Sequence, residues 1–159
     1  MSESFTHLND RGEARMVDVT SKAITQRTAT ARCVVVVSAE VAERLRAGDM
    51  PKGDALAVAR LAAIQATKRT ADLIPLCHPI AIHGVDVEIS VQERPSVEIL
   101  VTVRTADRTG IEMEALTAAA VGGLTVIDMV KGVDRSAHIA EVLLLEKSGG
   151  RSGTWRRPQ

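Results

Sequence analysis

The 159-residue sequence predicts an α+β fold, a ferredoxin-like sandwich in which a four-stranded antiparallel sheet carries helices packed on one face. Three observations lead to this prediction. A β-branched run comes first, two alternating apolar and polar segments follow a helical segment, and a long apolar helix precedes one last strand. The order strand, helix, hairpin, helix, strand is typical of this sandwich.

The first half of the chain predicts one strand and two helices. Residues 28–37, TATARCVVVV, end in a β-branched run that is typical of a central strand buried on both faces. A short helix is predicted over 39–47. After several glycine and proline residues, a second and largely buried helix is predicted over 54–70, with Asp54 as its candidate cap.

The second half predicts a hairpin, a long helix and a last strand. Residues 84–92, GVDVEISVQ, alternate apolar and polar side chains, and residues 96–105 repeat the pattern after a short polar connection. The long helix is predicted over about 111–132 and the last strand over 140–147. The tail from Ser148 is predicted to be mobile.

Two adjacent glycines, Gly122 and Gly123, lie in the middle of the predicted long helix. Each costs about 0.8–1.0 kcal/mol relative to alanine in a helix interior, so we expect a compensating close approach of another backbone. That approach is either a helix–helix contact within the chain or a subunit interface, and the sequence does not distinguish the two.

Composition limits the classes of function. The chain is 45% hydrophobic and 25% charged, which suits one domain over 1–159, ordered over about 7–153. Twenty basic residues balance twenty acidic ones, and Phe5 and Trp155 are the only aromatic residues, which argues against binding of nucleic acid. Neither a signal peptide nor a membrane span is predicted. The two cysteines are expected to be reduced, which predicts a cytoplasmic location.

Asp128 and Lys131 lie three residues apart near the end of the long helix, and therefore on one helical face. Taken alone, such a pair is most often a surface ion pair worth about 0.2–0.5 kcal/mol. The apolar neighbours in TVIDMV instead favour a partly buried pocket. There a carboxylate and an ammonium could exchange protons with a substrate.

Two acidic residues lie near the start of the same helix. Glu112 completes a capping box with Thr109, which we expect to be its main role. Glu114 has no such explanation. It is separated from Asp128 by about 21 Å along the helix, so the two cannot serve one reacting atom within a single chain. Either two chains share a site, or Glu114 holds a distant part of an extended ligand.

The segment 75–79, PLCHP, places a thiol and an imidazole between two prolines that restrict the backbone. A nucleophilic pair of Cys77 and His78 is disfavoured, because adjacent side chains of an extended segment point apart. For His78, an acid/base or donor role near a pocket and a purely structural hydrogen bond are both open. The sequence shows no zinc motif, and no metal site is predicted.

Basic residues accompany two glycine-containing segments. Lys52 precedes a helix, where the positive dipole end and the lysine charge favour a phosphate, although a solvated loop lysine is an equal alternative. The segment 147–153, KSGGRSG, is small and basic and could close over phosphates. It does not have the order of a Walker loop, and a disordered tail is its default interpretation.

Four segments together resemble the MoaC family of cyclic pyranopterin monophosphate synthases: MVDVTSKAITQRTATA, KGDALAVARLAAIQATKRTADLIPLCHP, TGIEMEALTAAAVGGLTVIDMVK and KSGGRSG. The resemblance runs from about His7 to Gly153. It implies a lyase of molybdenum cofactor biosynthesis, acting on a cyclised dihydro-GTP that a radical SAM enzyme supplies. The product is a pyranopterin with a cyclic phosphate, and pyrophosphate is released. The resemblance also implies a ferredoxin-like fold and a hexamer assembled as a trimer of dimers, with the pocket at a dimer interface.

The resemblance implies a role for each matching residue. Asp128 is the catalytic residue and Lys131 its acid/base neighbour. Substrate binding is implied for Leu76, Cys77, His78, Met113, Glu114, Glu112, Lys52, Lys147 and Arg151. No cofactor is required by the sequence, and a divalent metal ion accompanying the phosphates is compatible with it. The residues alone also allow a non-catalytic nucleotide-binding module on the same fold.

Three positions depart from the family pattern. Arg151 stands where a lysine is expected, Ile127 where an aromatic residue is expected, and the segment after Lys131 lacks a methionine. Arginine keeps the positive charge but changes the geometry of its hydrogen bonds, so Arg151 is the residue whose implied role rests on the weakest match.

Overall fold

The computed structural model describes residues 7–9 and 11–158. Its elements, in chain order, are β1 Thr25–Val36, α1 Ala39–Ala47, α2 Ala55–Thr67, α3 Thr70–Leu73, β2 Gly84–Val91, β3 Ser96–Asp107, α4 Glu112–Val130, β4 His138–Ser148 and β5 Trp155–Arg156. The strands form one antiparallel sheet in the order β2-β3-β1-β4-β5. The first four of these strands have the ferredoxin-like order, so the predicted fold class is confirmed.

The sheet buries one face against the helices. Along β1 the side chains of Ala31, Cys33 and Val35 are fully buried, and on β3 those of Ile99 and Val101 are too. These alternate positions form one core with α2 and α4. The Asp54 cap is confirmed, because its carboxylate accepts a hydrogen bond of 2.9 Å from the Ala57 amide.

The fifth strand is a correction to the predicted four. Gly149 and Gly150 have φ values of 96° and 72°, the left-handed region that glycine adopts without steric cost. They turn the chain after β4, and Trp155 and Arg156 then pair with Lys147 and Glu146. The segment predicted as a mobile tail therefore folds back on the sheet in the structure.

The glycine pair of α4 packs within the chain. A Cβ atom at Gly122 would lie 3.4 Å from Ile99 and 3.5 Å from Ala63 of α2, which is ordinary contact. At Gly123 it would lie 2.5 Å from the Cys33 sulfur and 3.2 Å from Ile139. The close approach left open by the sequence is therefore that of α4 to its own sheet and to α2.

This packing predicts opposite effects of two neighbouring substitutions. Gly123→Ala overfills the core against Cys33, at a cost of about 1–3 kcal/mol that exceeds the helix-propensity gain of about 0.8–1.0 kcal/mol. The matched control, Gly122→Ala, has room and keeps that gain. Urea unfolding should show a less stable Gly123→Ala protein and a more stable Gly122→Ala protein. Equal effects would contradict the packing described for Gly123.

By length and composition α4 could cross a membrane, with a mean hydropathy of 1.5, but half of that stretch is buried inside the fold. Core helices of globular domains share this property. Its apolar character is explained by a buried face that runs its whole length, since Ala115 and Ala119 near its start and Val126 and Val130 near its end are all fully enclosed.

Candidate functional site

A pocket of about 440 Å³ opens at the start of α4. It is lined by His7, Val17, Val19, Lys22, Leu76, Cys77, His78, Thr109, Gly110, Glu112, Met113 and Glu114. We refer to it as the Cys77 pocket. The structure thus brings together six residues, from two stretches far apart in sequence, for which the resemblance implies substrate binding: Leu76, Cys77, His78, Glu112, Met113 and Glu114.

Hydrogen bonds hold the imidazole side of the Cys77 pocket. The His78 Nε2 atom lies 2.8 Å from the Val17 carbonyl oxygen, to which it donates. Asp18, next along the chain, accepts bonds of 2.8 and 2.7 Å from the amide and hydroxyl of Thr20. The structural role that the sequence left open for His78 is therefore present. It also fixes the ring orientation, and among the described residues Nδ1 makes no hydrogen bond.

Glu114 lines the Cys77 pocket, and its pKa is shifted far from the ordinary value of a glutamate. Glu114 lies in the first turn of α4 and is only 4% exposed. The pKa of Glu114 is raised to about 7, mainly by burial; a hydrogen bond from its own amide lowers the pKa, and the nearby Glu112 charge raises it. A carboxyl group that titrates near neutral pH can both give and accept a proton there.

Cys77 lies beside this acid, and its thiol is held protonated. Burial raises the pKa of Cys77, and the Glu114 charge raises it further. Only the thiolate is an effective nucleophile, so the raised pKa works against a nucleophilic role for Cys77.

Alkylation of Cys77 measures the effect of the Glu114 charge on its thiol. Because the Glu114 charge opposes the Cys77 thiolate, we expect Glu114→Gln to speed iodoacetamide labelling of Cys77 at pH 8, where Glu114 is ionised. At pH 6 Glu114 is largely protonated, so the two proteins should react at similar rates. Peptide mass mapping separates Cys77 from Cys33, whose burial raises its pKa to about 11. A rate difference independent of pH would contradict this coupling.

Asp128 forms a second cluster at the other end of α4. Its carboxylate lies 2.7 Å from Lys131 Nζ and 3.2 Å from Lys52 Nζ, and Lys52 also donates to the Asp128 carbonyl at 2.7 Å. Hydrogen bonds from Lys131 and Lys52 lower the pKa of Asp128. The carboxylate is therefore ionised at neutral pH, and we call these three residues the Asp128 cluster.

The exposure of the Asp128 cluster differs from expectation. The Asp128 side chain is 56% exposed in the single chain, not partly buried as its apolar neighbours suggested. The reason is helical geometry, because Val126, Met129 and Val130 point to the core while Asp128 lies on the opposite face. None of the three residues of the cluster lines the Cys77 pocket, which lies about 21 Å away along the helix.

The predicted capping box is wrong. Helix α4 begins at Glu112, with Ile111 in the capping position and no side-chain hydrogen bond to the helix start. The Glu112 carboxylate instead accepts a 2.7 Å bond from Lys147 Nζ, on β4. Lys147 is 35 positions away in sequence, so local spacing could not reveal this competing partner.

Lys147 and Arg151 extend the site along the turn after β4. Lys147 lines a small polar cavity of about 180 Å³ next to Glu112 and Gly110. Arg151 lines a wider cleft of about 520 Å³. The Cys77 pocket shares Glu112 and Gly110 with the small cavity and Lys22 with the wide cleft, so the three are adjacent, and we refer to them together as the basic groove.

Sequence reasoning missed two cations of this groove, Lys22 and Arg27. Arg27 lines both the small polar cavity and the wider cleft, and it donates to the carbonyls of Asp107 and Arg108 at 3.0 and 3.2 Å. Both cations fall within the MVDVTSKAITQRTATA segment, whose resemblance had been noted without assigning a role. Basic charge in a matching segment was the only available signal.

The described residues contain no group of three histidine, cysteine or acidic side chains placed to hold a metal ion. The cations of the groove and the lysines of the Asp128 cluster are the groups suited to an anion.

A sequence profile of the MoaC family matches residues 16–150. The chain belongs to the MoaC family. Cyclic pyranopterin monophosphate synthase of Streptomyces avermitilis is 57% identical over 155 residues, covering 98% of this chain and 91% of the relative. The proteins of the same name from Nocardioides sp. and Thermomicrobium roseum are 54% and 55% identical, covering 99% and 96% of this chain and 100% and 93% of theirs. The resemblance inferred from the four segments is confirmed.

The MoaC-family match includes both clusters of the site. Lys52, Cys77, Glu114 and Asp128 all fall within residues 16–150, whereas Arg151 lies one position beyond the match. Arg151, which already differs from the expected lysine, thus also lies just outside the residues that the family profile matches.

Proposed function

We propose that the chain is a lyase of molybdenum cofactor biosynthesis, which converts (8S)-3′,8-cyclo-7,8-dihydroguanosine 5′-triphosphate to cyclic pyranopterin monophosphate and pyrophosphate by general acid/base catalysis. The observation that carries this proposal is nearly full-length identity of 53–59% to proteins named cyclic pyranopterin monophosphate synthase. Those names favour an enzyme over the non-catalytic nucleotide-binding module that the residues alone allowed.

The chemistry of the reaction fits the residues of both clusters. The rearrangement needs proton delivery to ring nitrogens, proton removal from a water and a hydroxyl, and neutralisation of charge on the departing pyrophosphate. Asp128 is ionised between two lysines, so its carboxylate is free of a proton and can accept one, and Lys131, 2.7 Å away, can return one. Glu114, whose pKa is raised to about 7, is a second group that can move a proton at neutral pH.

The basic groove offers a place for the triphosphate. Lys22, Arg27, Lys147 and Arg151 line its connected parts, and Lys52 stands in the Asp128 cluster. Cations at both places suit a substrate that carries its reacting ring and its phosphates at opposite ends. Cys77 and His78 then contact the substrate without forming a covalent bond to it.

One active site assembled from two chains accounts for the separation of the clusters. Glu114 and Asp128 lie equally far from Val121 at the middle of α4. A two-fold axis perpendicular to the helix and passing beside it there would place the partner's α4 antiparallel to this one, and so bring the Asp128 cluster of one chain to the Cys77 pocket of the other.

Exposed apolar side chains on the helix layer support the two-chain site. Leu124, three residues from that midpoint, is 57% exposed, and Leu61 of α2 is 67% exposed. Val58 and Leu73 are also exposed on the helical segments. Burying such side chains between two copies is favourable by roughly 25 cal/mol per Å² of apolar surface. Three dimers of this kind would form the hexamer that the family resemblance implies.

A product assay tests the function. Purified protein supplied with the cyclised dihydro-GTP should yield cyclic pyranopterin monophosphate and one pyrophosphate per turnover. A coupled reaction with a radical SAM GTP cyclase supplies the substrate in place, and we propose that enzyme as the preceding step in a cytoplasmic pathway. Binding of the nucleotide with no product, under conditions in which a relative turns over, would contradict the proposal.

A further inference from the structure

Gly110 lies between β3 and α4, where the Cys77 pocket meets the small polar cavity. Its backbone does not have the positive φ that would by itself favour glycine. Space is the constraint instead. A Cβ atom at Gly110 would lie 1.9 Å from Glu112 Oε2, 2.7 Å from its Cδ and 2.9 Å from its Oε1. The three nearest atoms all belong to one carboxylate, which occupies the volume that any other residue would fill.

The same carboxylate holds a cation on its other side. Glu112 Oε1 accepts the 2.7 Å bond from Lys147 Nζ, and the two side chains are 25% and 34% exposed. The pair thus links the first turn of α4 to the end of β4. Glu112 lines both the Cys77 pocket and the small cavity, so it forms the wall between them.

We propose that Gly110 is a positioning residue, whose missing side chain seats the Glu112 carboxylate and thereby fixes the Lys147 ammonium at the entrance to the small cavity. The proposal rests on the proposed function, in which Lys147 contacts the substrate. The Glu112 carboxylate is the far end of a flexible side chain, so a methyl group added at position 110 displaces the carboxylate and leaves the backbone in place. Lys147 then loses the partner that orients it.

Steady-state kinetics of Gly110→Ala, Glu112→Gln and the double variant test this coupling. Each single variant should lower kcat/KM by about 10–100-fold, the range that a displacement of about 1 Å can cost. The double variant should be no worse than Glu112→Gln, because both changes remove the same interaction. Gly132→Ala, where an added Cβ meets nothing within 4 Å, is the matched control and should behave as wild type.

A titration that needs no turnover separates this proposal from the proposed function. The Glu112 charge contributes to the raised pKa of Glu114, so displacing it should lower the Glu114 midpoint measured by carboxyl NMR in Gly110→Ala but not in Gly132→Ala. If Gly110→Ala lowers the Glu114 midpoint while the wild-type protein forms no product, the positioning role is supported and the proposed function is contradicted. Wild-type kinetics and an unchanged midpoint in Gly110→Ala would overturn the positioning role, as would additive losses in the double variant.

Discussion

Asp128→Asn is expected to lower turnover by about 10²–10⁴-fold in a protein that remains folded, the range typical of removing a general acid or base. Asparagine keeps the size of the side chain and still accepts a hydrogen bond from Lys131 or Lys52. It cannot take a proton from a substrate hydroxyl or water. Product formation from the cyclised dihydro-GTP, measured alongside circular dichroism and thermal unfolding, gives activity and folding separately.

Asp72→Asn is a matched control for this substitution. Asp72 also pairs with a cation three residues away on a helix, and its side chain is similarly exposed, but it lines none of the cavities of the groove. Exposed pairs contribute little to stability, so both variants should unfold at nearly the wild-type temperature. Normal turnover by a folded Asp128→Asn protein would remove the proton-transfer role from Asp128.

The fold was predictable because its signals are local. Alternation in β2 and β3, the β-branched end of β1 and the apolar length of α4 each come from neighbouring residues, and the observed bounds lie close to the predicted ones. The fifth strand was not predictable in this way. Its two residues pair with β4 only because Gly149 and Gly150 turn the chain, and glycine in a small polar segment equally suggests a mobile tail.

The site was predictable as a set of residues but not as a geometry. Motif spacing identified the acidic residues at both ends of α4. The side chains that pair with these residues, however, lie far away in sequence. Lys52 meets Asp128 across 76 positions, and Lys147 displaces Thr109 as the partner of Glu112. Charge, local sequence and the family resemblance singled out these lysines, whereas their neighbours depend on how the sheet and helices pack.

Subunit exchange between two inactive variants is expected to restore activity. Which pairs of variants regain activity depends on whether the two substituted residues belong to the same site of a mixed dimer. In the proposed two-chain site, Asp128 of one chain acts with Glu114 of the other. A mixed dimer of Asp128→Asn and Glu114→Gln chains then has one site with both substitutions and one with neither. With random exchange of equal amounts, half of the dimers are mixed, so about a quarter of wild-type activity should return.

Lys52→Ala mixed with Asp128→Asn is the discriminating control. Lys52 and Asp128 lie 3.2 Å apart in one chain, so every site of a mixed dimer carries one of the two substitutions and no activity should return. Native mass spectrometry of isotope-labelled chains establishes that exchange has occurred. Recovery in both mixtures, or in neither despite exchange, would show that the Asp128 cluster and the Cys77 pocket do not meet across a two-fold axis, because only that axis makes the two mixtures differ.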